Sequence, residues 1–230
     1  MTEQGPARSL VHGHRETYDR ALREIQAEIV QMGDLVEEAV RRATEAMHAH
    51  DSALAEQVIH DDRGINEIQA RTSELITTVI ATQQPVARDL RYLLALDRVA
   101  HELERMGDHA ASVAKQVRKL AQQAPLRRYV FLPRMGELVA GMVHDVISAL
   151  VEVDEARARG VASRDDEVDR LYHASFDVVL DLMRADPENV DRGTRILFAA
   201  HYLERIGDRV TNIAEDVLFL AGGVVEDLND

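Results

Sequence analysis

The sequence predicts an all-α protein built as two tandem, pseudo-symmetric three-helix bundles. Apolar residues recur at steps of three and four along most of the chain, short turn signals divide that pattern into six runs, and an eight-residue string returns one hundred residues later. Composition agrees with this. Of 230 residues, 46% are apolar but only 4% aromatic, and there is no Trp. The apolar weight falls on Ala, Val, Leu and Ile, which suit helix-on-helix packing better than a sheet-rich core.

The first run, from about Tyr18 to His48, carries Leu22, Ile25, Ile29, Met32, Val36, Val40, Ala43 and Met47 on one face. At about 1.5 Å per residue, such a run of about 30 residues spans roughly 45 Å, a length that lies along other helices in bundles. Asp51 or Ser52 is placed to cap a second helix reaching about Thr82, with Val58, Ile65, Ile68, Leu75, Ile76 and Val79 on its buried stripe. Pro85 suits the first turn of a third helix, where its missing N–H costs nothing. That helix carries Leu90, Leu93, Leu94, Leu103, Met106, Ala110, Val113, Val117 and Leu120. The pattern breaks near Gln122 to Pro125 and resumes with Met135, Leu138, Val139, Met142, Val146 and Leu150. Ser163 followed by Asp166 reads as the start of a fifth helix. Asp186 and Pro187 stop it and cap a sixth, from about Glu188 to Leu220. The expected organisation is a flexible N-terminus over 1–16, bundles over 17–122 and 126–221, and a tail over 222–230.

Duplication is the strongest signal. His101-Glu102-Leu103-Glu104-Arg105-Met106-Gly107-Asp108 returns as His201-Tyr202-Leu203-Glu204-Arg205-Ile206-Gly207-Asp208, with six of eight positions identical. The second helix returns more weakly, Asp62 to Ile68 aligning with Asp165 to Leu171.

A formal net charge of −14 surrounds the molecule with a field that repels nucleic-acid backbones and anionic lipid, so neither is an expected partner. With no Cys, any metal must be held by carboxylate, amide or imidazole groups. No apolar run approaches a membrane span, and Met1 to His14 lacks the apolar centre of a signal peptide, so a cytoplasmic protein is expected.

On a helical projection Glu104 and Asp108 fall opposite the apolar stripe of their helix, and Glu204 and Asp208 do the same, which places them on the outside of the bundles. Asp62 and Asn66, and Asp165 and Asp169, project from the flank of their helices toward that acidic face. Like charges at i and i+4 disfavour a helix by roughly 0.2–0.5 kcal/mol per pair. A multivalent cation reverses the sign of that term, so these residues suggest one metal site, mononuclear or multinuclear, in each unit. The plain alternative is a solvated set of carboxylates compensated by Arg105, Arg205 or Arg209. His101 and His201 face a similar way and are further candidate ligands. Gly107 and Gly207 each cost about 1 kcal/mol inside a helix. Either they clear space for an ion or partner, or they allow close helix packing.

Glu104-Arg105-Met106-Gly107-Asp108-His109-Ala110, Glu204-Arg205-Ile206-Gly207-Asp208, and Gln84-Pro85-Val86-Ala87-Arg88-Asp89-Leu90-Arg91 resemble the signatures of the PhoU family, a likeness running from about Tyr18 to Leu220. The resemblance implies metal clusters of iron or zinc type on the bundle surfaces. Carried over by position, the ligands are Asp62, Asn66, Glu104 and Asp108 in the first unit and Asp165, Asp169, Glu204 and Asp208 in the second. It also implies a homodimer that acts as a negative regulator of the phosphate-starvation response. In that role it would link a phosphate ABC transporter, through its ATPase, to a sensor histidine kinase, meeting the membrane only through those complexes. Asn66 stands where a carboxylate is expected, and Ser112 and Lys115 stand where the second unit has Asn212 and Glu215, so weaker metal binding is expected in the first unit. Two readings compete. A carboxylate-bridged di-metal enzyme needs inward ligands and a Glu-x-x-His pair, whereas this chain has the reverse order on an outward stripe. A metal-free helical adaptor would use the acidic stripe to bind basic protein surfaces. No nucleophile motif or phosphate-binding glycine loop is present, so an enzyme is not expected.

Overall fold

Helix α1 (Pro6–Ala49) opens the computed structural model, which describes residues 6–124, 126, 131–223 and 228, with side chains from residue 16 onward. It is followed by α2 (Ser52–Gln83), α3 (Arg88–Leu120), α4 (Phe131–Glu152), α5 (Glu155–Ala162), α6 (Asp165–Ala185), a 3-10 turn (Pro187–Asn189) and α7 (Val190–Gly222). Every regular element among the described residues is helical. Within the expected terminal segments, residues 1–5, 224–227, 229 and 230 lie outside the described residues.

Local chemistry explains the boundaries. Asp51 caps α2, its carboxylate accepting from the N–H groups of Ala53 and Leu54 at 2.9 and 3.0 Å. Asp186 accepts from the Glu188 N–H at 3.0 Å and starts the turn that leads into α7. Two expectations needed correction. Pro85 precedes α3 rather than opening it, because Ala87 adopts φ 46° and the helix starts only at Arg88. The counterpart of α2 is split. Asp154 caps the short α5, and the Ser163 hydroxyl donates to the Gly160 carbonyl at 3.0 Å instead of capping α6.

α1, α2 and α3 form one antiparallel bundle, and α4, α5 with α6, and α7 form the second. The halves are joined along two antiparallel seams. In the first, α1 lies on α4, with Gly33 against Ile147 and Gly136 against Thr44. In the second, α3 lies on α7. One continuous apolar core therefore runs through both units, from Ile25, Met32 and Val40 through Leu103 and Met106 to Met142, Leu203 and Ile206. Most residues of the expected stripes are buried; Leu22, Leu75, Leu90 and Leu138 are partly buried, and Leu94 is 44% exposed.

α3 is buried on more than one side, against α1, α2 and α7. Its acidic face consequently meets α2 rather than open water.

A carboxylate seam in each half

The signature residues lie in the crease between α2 and α3 and in the equivalent crease between α6 and α7. This corrects the outward placement expected from the helical projection. Glu104 and Glu204 retain only 20% and 19% of their side-chain exposure, and Asp208 27%, while Asp108 is more open at 40%. The projection fails because it assumes one buried face per helix.

In the first half Asp62 reaches from α2 beside Gly107. A Cβ added there would sit 2.9 Å from Ile65 Cδ1 and 3.1 Å from Asp62 Oδ1. In the second half a Cβ on Gly207 would collide with Asp165 Oδ1 more severely. The two helix-interior glycines therefore make room for a carboxylate from the neighbouring helix. Asp165 Oδ1, Asp62 Oδ1 and Glu204 Oε2 are buried without a hydrogen-bond partner. Leaving such atoms unsatisfied opposes folding, and more so when they carry charge.

Electrostatics follow from that burial. The Asp165 carboxyl is pushed up to about 7, first by burial and then by Asp169, Asp208 and Glu204, with the Thr211 hydroxyl opposing. Glu204 is likewise pushed up to about 7 by burial and by Asp208 and Asp169, against Arg205 and His173. Burial also raises Asp208. In the first half Asp62 is raised by burial, by Asp108 and by Glu104, but Lys115 opposes. Asn66 is exposed on α2 and carries no charge.

Guanidinium groups supply part of the compensation. Arg105 spans Glu104 at 3.4 Å and Asp108 at 3.3 Å, and Arg205 holds Asp208 at 2.6 Å. Arg209 instead crosses to the other half, donating to Glu102 at 3.1 Å. His201 Nδ1 lies 3.3 Å from Glu204 Oε2, whereas His101 Nδ1 lies 2.8 Å from the Asp97 carbonyl and its Nε2 lies 3.3 Å from Gln69 Nε2. The two histidines are thus not equivalent.

The residues present suit a hard cation in their chemistry, with oxygen donors from two helices and three orphaned carboxylate oxygens. They are not drawn together as a finished cage: among the described residues no group of three or more His, Asp or Glu side chains is arranged to hold a metal ion. A bound ion would require the carboxylates to turn toward one another and Arg105 and Arg205 to yield.

Sequence reasoning missed the α3–α7 seam. Arg98 pairs with Asp216, Glu102 accepts from Arg209 and Asn212, and His109 stacks on Tyr202 at 5.9 Å. Shifting by one hundred residues converts Glu102/Arg209 into Tyr202/His109, so one seam is ionic on one side of the pseudo-dyad and aromatic on the other. Burial and the nearby Arg209 and Arg205 push His109 down to about 4, so it stacks as a neutral ring.

Fold and seam define a duplicated three-helix-bundle protein with one acidic crease per half. The PhoU domain profile matches residues 29–117 and 132–217. A phosphate-specific transport system accessory protein PhoU homolog of Clostridium acetobutylicum is 36% identical over 217 residues, 94% of this chain and 99% of that protein. One of the same description from Caulobacter vibrioides is 37% identical over 205 residues, 89% of each chain. The crystal structure of PhoU from Pseudomonas aeruginosa superposes with a TM-score of 0.87 at 34% identity, covering 90% of this chain and all of that one. The chain belongs to the PhoU family. These relatives are described as accessory proteins, not as enzymes.

Proposed function

We propose that the protein is an accessory regulator of phosphate transport that couples a phosphate ABC transporter to a sensor histidine kinase and keeps the phosphate-starvation response off when phosphate is plentiful. The observation that carries this reading is the duplicated Glu-Arg-x-Gly-Asp signature set in a fold and sequence shared over nearly the whole chain with relatives described as phosphate-transport accessory proteins. No helix among the described residues is long and apolar enough to cross a membrane, which suits a protein that meets membrane complexes from one side.

In this reading Asp165, Asp169, Glu204 and Asp208 hold iron, zinc or another divalent or trivalent ion, and Asp62, Asn66, Glu104 and Asp108 hold a weaker one. When bound, the ion would neutralise like charges and lock α6 against α7 and α2 against α3. The residues themselves supply the oxygen donors, and Gly107 and Gly207 admit the carboxylate from the facing helix. Arg205 on Asp208 and Arg105 across Glu104 and Asp108 favour a second reading, a metal-free adaptor in which guanidinium groups balance the crease permanently.

The test is deletion in the host, with expression of phosphate-starvation genes measured at high external phosphate. Constitutive expression, rescued by the wild-type sequence but not by a Glu104/Asp108/Glu204/Asp208 alanine variant, supports the regulatory role and places it on the seam. No change on deletion removes the reading. Metal content of the protein purified from its host separates the two forms, since the adaptor carries none.

A further inference from the structure

The second half has an exposed aromatic groove that the fold does not require. The chain contains five Tyr and four Phe, and four of these, Tyr172, Phe176, Phe198 and Tyr202, cluster where α6 meets α7. Tyr172 meets Phe176 edge-on at 6.1 Å, and Phe198 stacks with Tyr202 at 6.5 Å. Phe176 and Phe198 nevertheless remain 39% and 48% exposed. With Leu197 and His201 they line a groove of about 340 Å³. Large aromatics left half in water, packed edge to edge, are typical of surfaces that another protein covers.

The internal duplication supplies a control. At the matching place in the first half, Ser73 donates to Asp97 at 2.6 Å, Gln69 donates to Ser73 at 3.1 Å, and Gln69 also meets His101 at 3.3 Å. Those polar groups satisfy one another on the same helical framework. Phe176 stands where the first half has Ser73, Tyr172 where it has Gln69, and Leu197 where it has Asp97. Helix pairing is therefore possible without the aromatics.

Charge specifies the occupant. Glu204 borders the groove, 3.3 Å from His201 and close enough to Tyr172 to act on its hydroxyl. The molecule as a whole is acidic, with a formal net charge of −14. A Lys or Arg beside an apolar anchor would meet both this acidic surface and the aromatic faces. A second copy of this chain would bring the same net charge, which disfavours self-association here.

We propose that this groove is a docking site for a segment of a partner protein that carries a large apolar side chain next to Lys or Arg. The proposal rests on the accessory-regulator reading, which requires a protein partner. To test it, the photo-cross-linking residue benzoylphenylalanine replaces Phe198 in the full chain in host cells, with Leu94 in the first half as the control position, and adducts are mapped by mass spectrometry. The expected result is an adduct at position 198, absent at 94, to a segment with an apolar anchor within about one helical turn of Lys or Arg. That segment, made as a labelled peptide, binds the wild-type chain and loses at least tenfold affinity for a Phe176→Ser/Phe198→Ser variant, with helical content and Leu94→Ser binding unchanged. No adduct above the control, an adduct to a second copy of the chain, to lipid, or to an acidic or wholly polar segment, or a peptide indifferent to the double substitution, overturns the proposal. Deletion that leaves phosphate control intact would defeat the regulatory reading separately, because the cross-link does not depend on that phenotype.

Discussion

Replacing Asp165 by Asn removes one charge from the most crowded crease while keeping the shape of the side chain, and in metal-free protein it is expected to stabilise the fold at pH 8. Asp165 is pushed up to about 7 from an ordinary value of 3.8. A carboxyl whose folded value is raised favours the folded state below its unfolded value, and that advantage is lost as pH climbs toward the folded value. Between pH 5 and pH 7 the loss amounts to about 1.4 kcal/mol per unit, a ceiling of ~3 kcal/mol. Asp165 and its neighbours are only partly buried, so water screens the repulsion and about half that figure is expected. Against it stand the long 3.5 Å hydrogen bond from Thr211 and the favourable place of Asp165 in the first turn of α6, together worth ~1 kcal/mol at most. The net expectation is a gain of ~1 kcal/mol at pH 8 that shrinks at pH 5. Urea unfolding in EDTA at both pH values measures it. Wild-type protein should also become less stable from pH 5 to pH 8. An Asn variant less stable than wild type at pH 8, or a wild type indifferent to pH, would refute the account of the crease as a store of like-charge repulsion.

The glycines give a graded series. Gly207→Ala should destabilise by ~1 kcal/mol, since overpacking against Asp165 costs more than the helix propensity gained; Gly107→Ala should cost less, and Gly64→Ala, with nothing within 4 Å, should stabilise by ~0.5–1 kcal/mol. Thermal melts rank the three, and Asp165→Ala should relieve the penalty of Gly207→Ala. Asp51→Ala removes the cap of α2 and should lower stability by ~1 kcal/mol by urea titration, whereas Glu67→Ala, at an exposed position of the same helix, is the control for lost charge and should change it by less than ~0.5 kcal/mol. A double-mutant cycle on Glu102 and Arg209, both about three-quarters buried, should return a coupling of ~1 kcal/mol that joins the two halves; a value of zero would mean that this pair adds nothing to the joint.

Much of the fold was legible because helices announce themselves locally. The stripe from Ile25 through Met47 has one period, and every one of those side chains is buried. The repeated signature located the four carboxylates of α3 and α7, and the weaker repeat of the second helix aligned Asp62 with Asp165. Boundaries were less legible: Pro85 and Ser163 are good helix-start residues in isolation, yet the backbone at Ala87 and the bond from Ser163 to Gly160 placed the starts elsewhere.

The sequence by itself determined the helical class, the duplication and the candidate ligands, since each is written in nearest-neighbour spacing and residue type. Only the tertiary structure decided that Glu104 and Glu204 lie in creases, that Gly107 and Gly207 make room for Asp62 and Asp165, that α3 binds α7 through a seam ionic on one side and aromatic on the other, and that Phe176 and Phe198 line one groove. Those are relations between helices separated by many residues in the chain. A helical projection records one axis at a time, whereas burial, orphaned oxygens and raised carboxyls arise only when a second helix removes the water.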